Sequence, residues 1–140
     1  MKKFKMIVAA LIVALLVPSS TFAGSVEPFD TGEWDYQGKD VFTDQSKNFK
    51  SGGGAFKICL SSDSKPGYYQ LYEEDPYNPD DEVKNNDGTV GLYFKTAGSK
   101  DFDSKNCHVW KDVNGYVDGD QAEFYLAKYS GGNSTVYAWD

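Results

Sequence analysis

Ala55-Phe56-Lys57-Ile58-Cys59-Leu60 alternates apolar with polar or small side chains at a period of two. The same beat returns at Val90-Gly91-Leu92-Tyr93-Phe94 and at Ala122-Glu123-Phe124-Tyr125-Leu126. Successive side chains of a strand point to opposite faces, whereas a helix repeats every ~3.6 residues, so this pattern describes strands with one buried face. Phe56, Ile58, Leu60, Val90, Leu92, Phe94, Ala122, Phe124 and Leu126 are therefore expected to line a core. Lys57, Thr89, Lys95, Glu123 and Tyr125 are expected to stand opposite them. By the same parity Cys59 points outward, away from Phe56 and Ile58.

Working outward, residues 34–42, 68–72, 106–113 and 135–139 are also rich in Tyr, Phe, Trp and Val, with the longer runs 89–96 and 122–129 completing the set. Between them lie Gly52-Gly53-Gly54, Lys65-Pro66-Gly67, Asp87-Gly88, Asn114-Gly115, Asp118-Gly119 and Gly131-Gly132-Asn133. These residues supply the positive φ angles or the fixed proline φ that tight connections require. The expected fold is all-β: a single antiparallel β-sandwich or barrel of about seven strands with one disulfide. The bond would join Cys59 and Cys107, and an outward Cys59 makes it a staple between neighbouring strands or a loop. An immunoglobulin domain is excluded, since no Trp lies between the two cysteines.

Residues 1–23 have the pattern of a signal peptide. Lys2, Lys3 and Lys5 precede an apolar run from Met6 to Val17, and Thr21-Phe22-Ala23 offers small residues at the −3 and −1 positions. The run is shorter than the roughly 20 residues a membrane-spanning helix needs. Residues 24–33 read as a flexible lead-in of Gly, Ser, Pro and acid, and residues 34–140 as the β domain. The expected location is secreted and extracellular, where a disulfide persists.

Cleavage after Ala23 removes three lysines and moves the formal charge from −7 to −10. Every cationic side chain is Lys, with no Arg to grip phosphates or guanine edges in a bidentate fork. Nucleic acid and anionic lipid are accordingly poor partners for the whole chain, and no stable membrane insertion is expected after cleavage.

Two constellations carry candidate chemistry. Tyr68, Tyr72, Tyr77, Tyr116 and Tyr125 lie in or beside polar turns or on expected outer faces. Rings bordered by Asp and Asn suit a sugar, with the ring stacking on its apolar face and polar groups meeting its hydroxyls. The alternative is cross-strand tyrosine pairing that stabilises the sheet. The acidic stretch 73–87 offers Glu74, Asp75, Asp80, Asp81 and Asp87 as oxygen ligands for calcium, although Val83 falls where the EF-hand pattern needs a ligand. A solvated acidic loop held open by Pro76 and Pro79 is the plainer account.

Catalytic signals are weaker. Glu73, Glu74, Asp118, Asp120 and Glu123 could pair as carboxylates, but their separations are invisible in sequence. His108, with Ser61, Ser62 or Ser104, lacks a nucleophile-elbow signature and shares a face with Trp110, which favours a structural role. The reading is a secreted binding module for an extracellular glycan or protein surface, with calcium as the candidate cation and no catalytic residue. A small secreted toxin, bacteriocin or enzyme inhibitor is the alternative, and a small secreted hydrolase stands third.

Overall fold

In a computed structural model, residues 33–95 and 98–140 are described. The proposed leader and all of the lead-in except Glu33 lie outside these residues. The described chain forms nine strands: β1 Tyr36–Phe42, β2 Phe49–Ser51, β3 Phe56–Leu60, β4 Gly67–Glu73, β5 Asp81–Glu82, β6 Leu92–Phe94, β7 Cys107–Trp110, β8 Ala122–Lys128 and β9 Ser134–Trp139. A single 3-10 turn, Asn114–Tyr116, is the only helical element among the described residues.

All pairings are antiparallel and build two separate sheets, so the molecule is a sandwich rather than a closed barrel. Sheet A has the order β1-β9-β3-β7, and sheet B the order β2-β8-β4-β5 with β6 also paired to β4. β6 pairs with Gly67 to Tyr69 and β5 with Tyr72 and Glu73, so the two short strands share one edge of β4 and leave Gln70 and Leu71 between them.

The inner faces meet in a dry aromatic core. Phe56 of sheet A lies 4.9 Å from Phe124 of sheet B, and Phe42 of sheet A meets Tyr69 of sheet B edge-on at 6.4 Å. Ile58, Leu60, Leu71, Leu92, Phe94, Trp110, Leu126 and Val136 complete the fill. Fully burying such a side chain stabilises by about 1.5–3 kcal/mol relative to exposure. Tyr69 is buried without penalty to its hydroxyl, which donates to the Lys65 carbonyl at 2.5 Å and meets Ser134 Oγ at 2.6 Å.

Eight of the nine expected core residues are buried; Val90 is not, being 42% exposed. Gly91 adopts a φ of 77°, which turns the chain and breaks the alternation before β6 begins at Leu92. β2 and β5, absent from the sequence reading, are three and two residues long. Their partners on β8 and β4 make them strands, since neither carries a periodic pattern of its own.

Cys59 and Cys107 are joined, and they stand directly opposite each other on adjacent β3 and β7. The bond staples neighbouring strands on the outer side of sheet A, as the parity of Cys59 requires. It closes a loop with a sequence separation of 48 residues, which in the chain-entropy account stabilises the fold by about 4 kcal/mol. Replacing both cysteines (C59S with C107S) is expected to lower the urea midpoint and to steepen the slope, because the freed unfolded chain exposes more surface. A midpoint equal to that of the unaltered protein would show that loop constraint contributes nothing.

Candidate functional site

Sheet B presents a tyrosine face to solvent. Along β4 the outward positions are Tyr68, Gln70 and Tyr72, because Tyr69 and Leu71 between them are core residues. Across the sheet Tyr72 pairs with Tyr125, Gln70 with Ala127, and Tyr68 with Tyr93 of β6. Tyr129 follows β8, and its N–H donates to the Tyr68 carbonyl at 3.0 Å.

Ring geometry is specific. Tyr72 and Tyr125 stack, with centroids 5.3 Å apart and planes inclined by 13°. Tyr68 and Tyr93 tilt against each other at 4.9 Å. The Tyr72 and Tyr129 hydroxyls meet at 2.6 Å although Tyr129 is level with Tyr68, four residues along β4 from Tyr72. At about 3.3 Å per strand residue, the two side chains must lean toward each other over Gln70 and Ala127. This explains why Gln70, on an outward position, is only 9% exposed, and its amide Nε2 has no hydrogen-bond partner.

Burial and neighbouring charge keep the phenols of Tyr72 and Tyr125 protonated. Burial, followed by the hydrogen bond to Tyr129 and the charges of Glu82 and Asp80, pushes the pKa of Tyr72 up to about 12. Tyr125 is pushed higher still, first by burial and then by the Asp80 carboxylate, to whose Oδ2 its hydroxyl donates at 2.6 Å. On this face the rings of Tyr68 and Tyr129 are 62% and 63% exposed, whereas Tyr125 is only 8% exposed beneath its neighbours. Chemically the face can stack and exchange hydrogen bonds.

Of the sequence candidates, Tyr68, Tyr72 and Tyr125 are brought together. Tyr77 stands 93% exposed in the loop that Asp80 ties to Tyr125, held by an Asx turn in which Asp75 Oδ1 accepts the Tyr77 N–H at 2.9 Å. Tyr116 belongs elsewhere: its ring packs edge-on against core residue Phe124, and its hydroxyl accepts the Lys84 N–H at 2.9 Å. Tyr93, Tyr129 and Gln70 were missed. Tyr93 and Gln70 could have been found from the outward parity of β6 and β4.

The acidic candidates do not converge. Asp75 is occupied by Tyr77 and Asn78, Asp80 by Tyr125, Glu74 by the Asn48 side chain, and Asp87 by Thr89 N and Oγ1, while Asp81 lies in β5. No three His, Cys, Asp or Glu side chains among the described residues form a group suited to a metal ion.

Glu73 is the unusual carboxylate. It falls on the core parity of β4, pairs with Phe124 and is 3% exposed. Burial, then Asp118, Asp75, Asp81 and Glu123, raises its pKa to about 7. His108 Nδ1 donates to the Asp101 carbonyl at 2.6 Å, and the ring lies 4.5 Å from that of Trp110. Burial pulls its pKa below the ordinary histidine value.

Residues 31–138 match the family model described as the YndA coiled coil domain. The chain belongs to this family. It is 32% identical over 136 residues, covering 94% of this chain and 92% of the relative, to a Bacillus subtilis (strain 168) protein named "Uncharacterized protein YndA". No solved structure matches. The family's description speaks of a coiled coil, yet the described residues of this YndA-family chain form two β-sheets and no α-helix.

Ionising Glu73 opposes folding. Its folded pKa lies above the ordinary 4.5, so stability is fully present below pH 4.5 and is lost as pH rises through about 7. Glu73→Gln should raise the melting temperature at pH 8, by up to about 3 kcal/mol of stability, and the gain should vanish below pH 4.5. Parallel melting curves across that range would contradict the assignment.

Proposed function

We propose that the protein is a secreted, non-catalytic recognition module that binds an extracellular glycan on the tyrosine face of sheet B. The observation that carries this reading is the gathering of Tyr68, Tyr72, Tyr93, Tyr125 and Tyr129 on one sheet face over a buried, unpartnered Gln70 amide. Flat rings fixed by stacking lose little conformational freedom on binding, and exposed phenol hydroxyls match the hydroxyls of a sugar. A protein surface is the other ligand class compatible with such rings, since Tyr is enriched at interfaces. Glycan is preferred because the face combines hydroxyls with ring faces and lacks aliphatic side chains larger than Ala127 at its centre.

The non-catalytic reading rests on the placement of the groups that could react. His108 is held by a backbone carbonyl against Trp110, and Glu73, the carboxyl whose pKa is raised, faces the core at 3% exposure rather than a cleft. Calcium is left out of the proposal, because the acidic loops use their carboxylates to hold their own turns. Secretion rests on the leader pattern of residues 1–23.

Two measurements test this reading. Retention on insoluble cell-wall polysaccharide should fall at least about 10-fold for Tyr68→Ala combined with Tyr129→Ala, equivalent to about 1.4 kcal/mol, with the circular dichroism spectrum unchanged. Equal retention of variant and unaltered protein would sink the site. The protein recovered from culture medium should begin at Gly24, read by mass spectrometry; an intact leader on the external protein would refute the cleavage assignment.

A further inference from the structure

The outer face of sheet A differs in charge from the rest of the molecule. Its outward positions follow from the register: Lys39 pairs with Tyr137, Val41 with Thr135, Lys57 with Trp139 and Val109, and Cys59 with Tyr137 and Cys107. These strand positions hold two lysines and no carboxylate, in a chain with 21 acidic side chains; the acid acting on Lys57 is Asp103, from the loop before β7, and Lys105 of the same loop acts on it in the opposite sense. Asp40, the one acid within these four strands, sits on the inward parity of Phe42 and accepts the Lys47 N–H at 2.7 Å.

Aromatic rings surround the lysines. The Lys57 ammonium lies 4.3 Å from the Trp34 ring centroid and 4.6 Å from that of Trp139, and Lys39 stands 5.9 Å from the Tyr137 ring. Tyr36 packs on Trp139 at 5.5 Å, and Tyr137 stacks along it at 6.3 Å. The patch is open, with Trp34 40% and Tyr36 57% exposed.

We propose that this face is a second binding surface, whose ligand is an acidic polysaccharide with sugar rings on Trp34, Tyr36 and Trp139 and carboxylates on Lys39 and Lys57. Charge complementarity selects the ligand class: a neutral sugar would use the rings alone, whereas an anionic one uses both features of the patch. Cations held against ring faces are partly desolvated already, so pairing with an anion displaces little water. The net negative charge of the chain does not forbid this. Packed sheets lie about 10 Å apart and the Debye length is about 8 Å at physiological ionic strength, so the carboxylates beside the tyrosine face are largely screened from this one.

The distribution of tryptophan makes the face separately observable. Trp34 and Trp139 lie here, the remaining Trp110 is 1% exposed in the core, and the tyrosine face of sheet B has none. Titrating the full protein with polygalacturonate while following tryptophan emission should give a saturable change. That change should weaken when the salt concentration is raised about tenfold. The apparent affinity should fall at least about tenfold in Lys39→Glu and in Tyr36→Ala, both at exposed positions that the fold tolerates. Tyr129→Ala should leave it unchanged, which separates this surface from the glycan site of sheet B. Unmoved emission, equal affinity for the fully methyl-esterified polymer, or tighter binding of single-stranded DNA than of polygalacturonate would each overturn the proposal.

Discussion

Phe56 and Phe124 touch across the sandwich at 4.9 Å, and the two sheets are organised around that contact. Phe56 opens β3 and Phe124 is the third residue of β8, both alternating strands, so fixing each ring inward fixes its neighbours: Lys57 and Cys59 must face out from sheet A, and Glu123 and Tyr125 from sheet B. A slip of one residue in either strand would send the whole set to the wrong side. The aromatic core and the two decorated outer surfaces are thus consequences of one register.

The sandwich is only two sheets thick, and this divides its surface chemistry. Sheet B turns out tyrosines beside Asp80, Glu82 and Glu123, with phenol hydroxyls bonded to one another and to a carboxylate. Sheet A turns out indoles, tyrosines and lysines, with ring faces against ammonium groups. Both surfaces are aromatic, but one is lined by acceptors and the other by cations. Net charge alone suggested a uniformly anion-repelling molecule; the arrangement of strands shows that the average conceals two unlike faces.

The elements legible in the sequence were those whose pattern is their own. β3 and β8 announce themselves through strict alternation, and the outward direction of Cys59 followed from the same rule. β2 and β5 were illegible because a strand of two or three residues is made by its partner's edge. Val90 was misplaced because a glycine with positive φ interrupts a run that looks continuous on paper. For the tyrosine face, Tyr68, Tyr72 and Tyr125 were readable from parity and polarity. The Tyr72–Tyr129 bridge was not, since it joins residues 57 apart through non-local pairing of β4 with β8. Tyr116 shows the converse: a tyrosine in Asn114-Gly115-Tyr116-Val117-Asp118 reads as surface, yet its ring packs against core residue Phe124. Glu73 also escaped notice as a buried group, because its neighbours Glu74 and Asp75 make the whole segment look solvated.

β7 is one of the two edge strands of sheet A and only four residues long. Were it to peel away, β3 would present a free row of backbone donors and acceptors flanked by Phe56 and Ile58, a template onto which another chain could add as a strand. The Cys59–Cys107 bond holds that edge shut covalently at its first residue pair. Its role then extends beyond conformational entropy: it guards against polymerisation by strand addition at that edge.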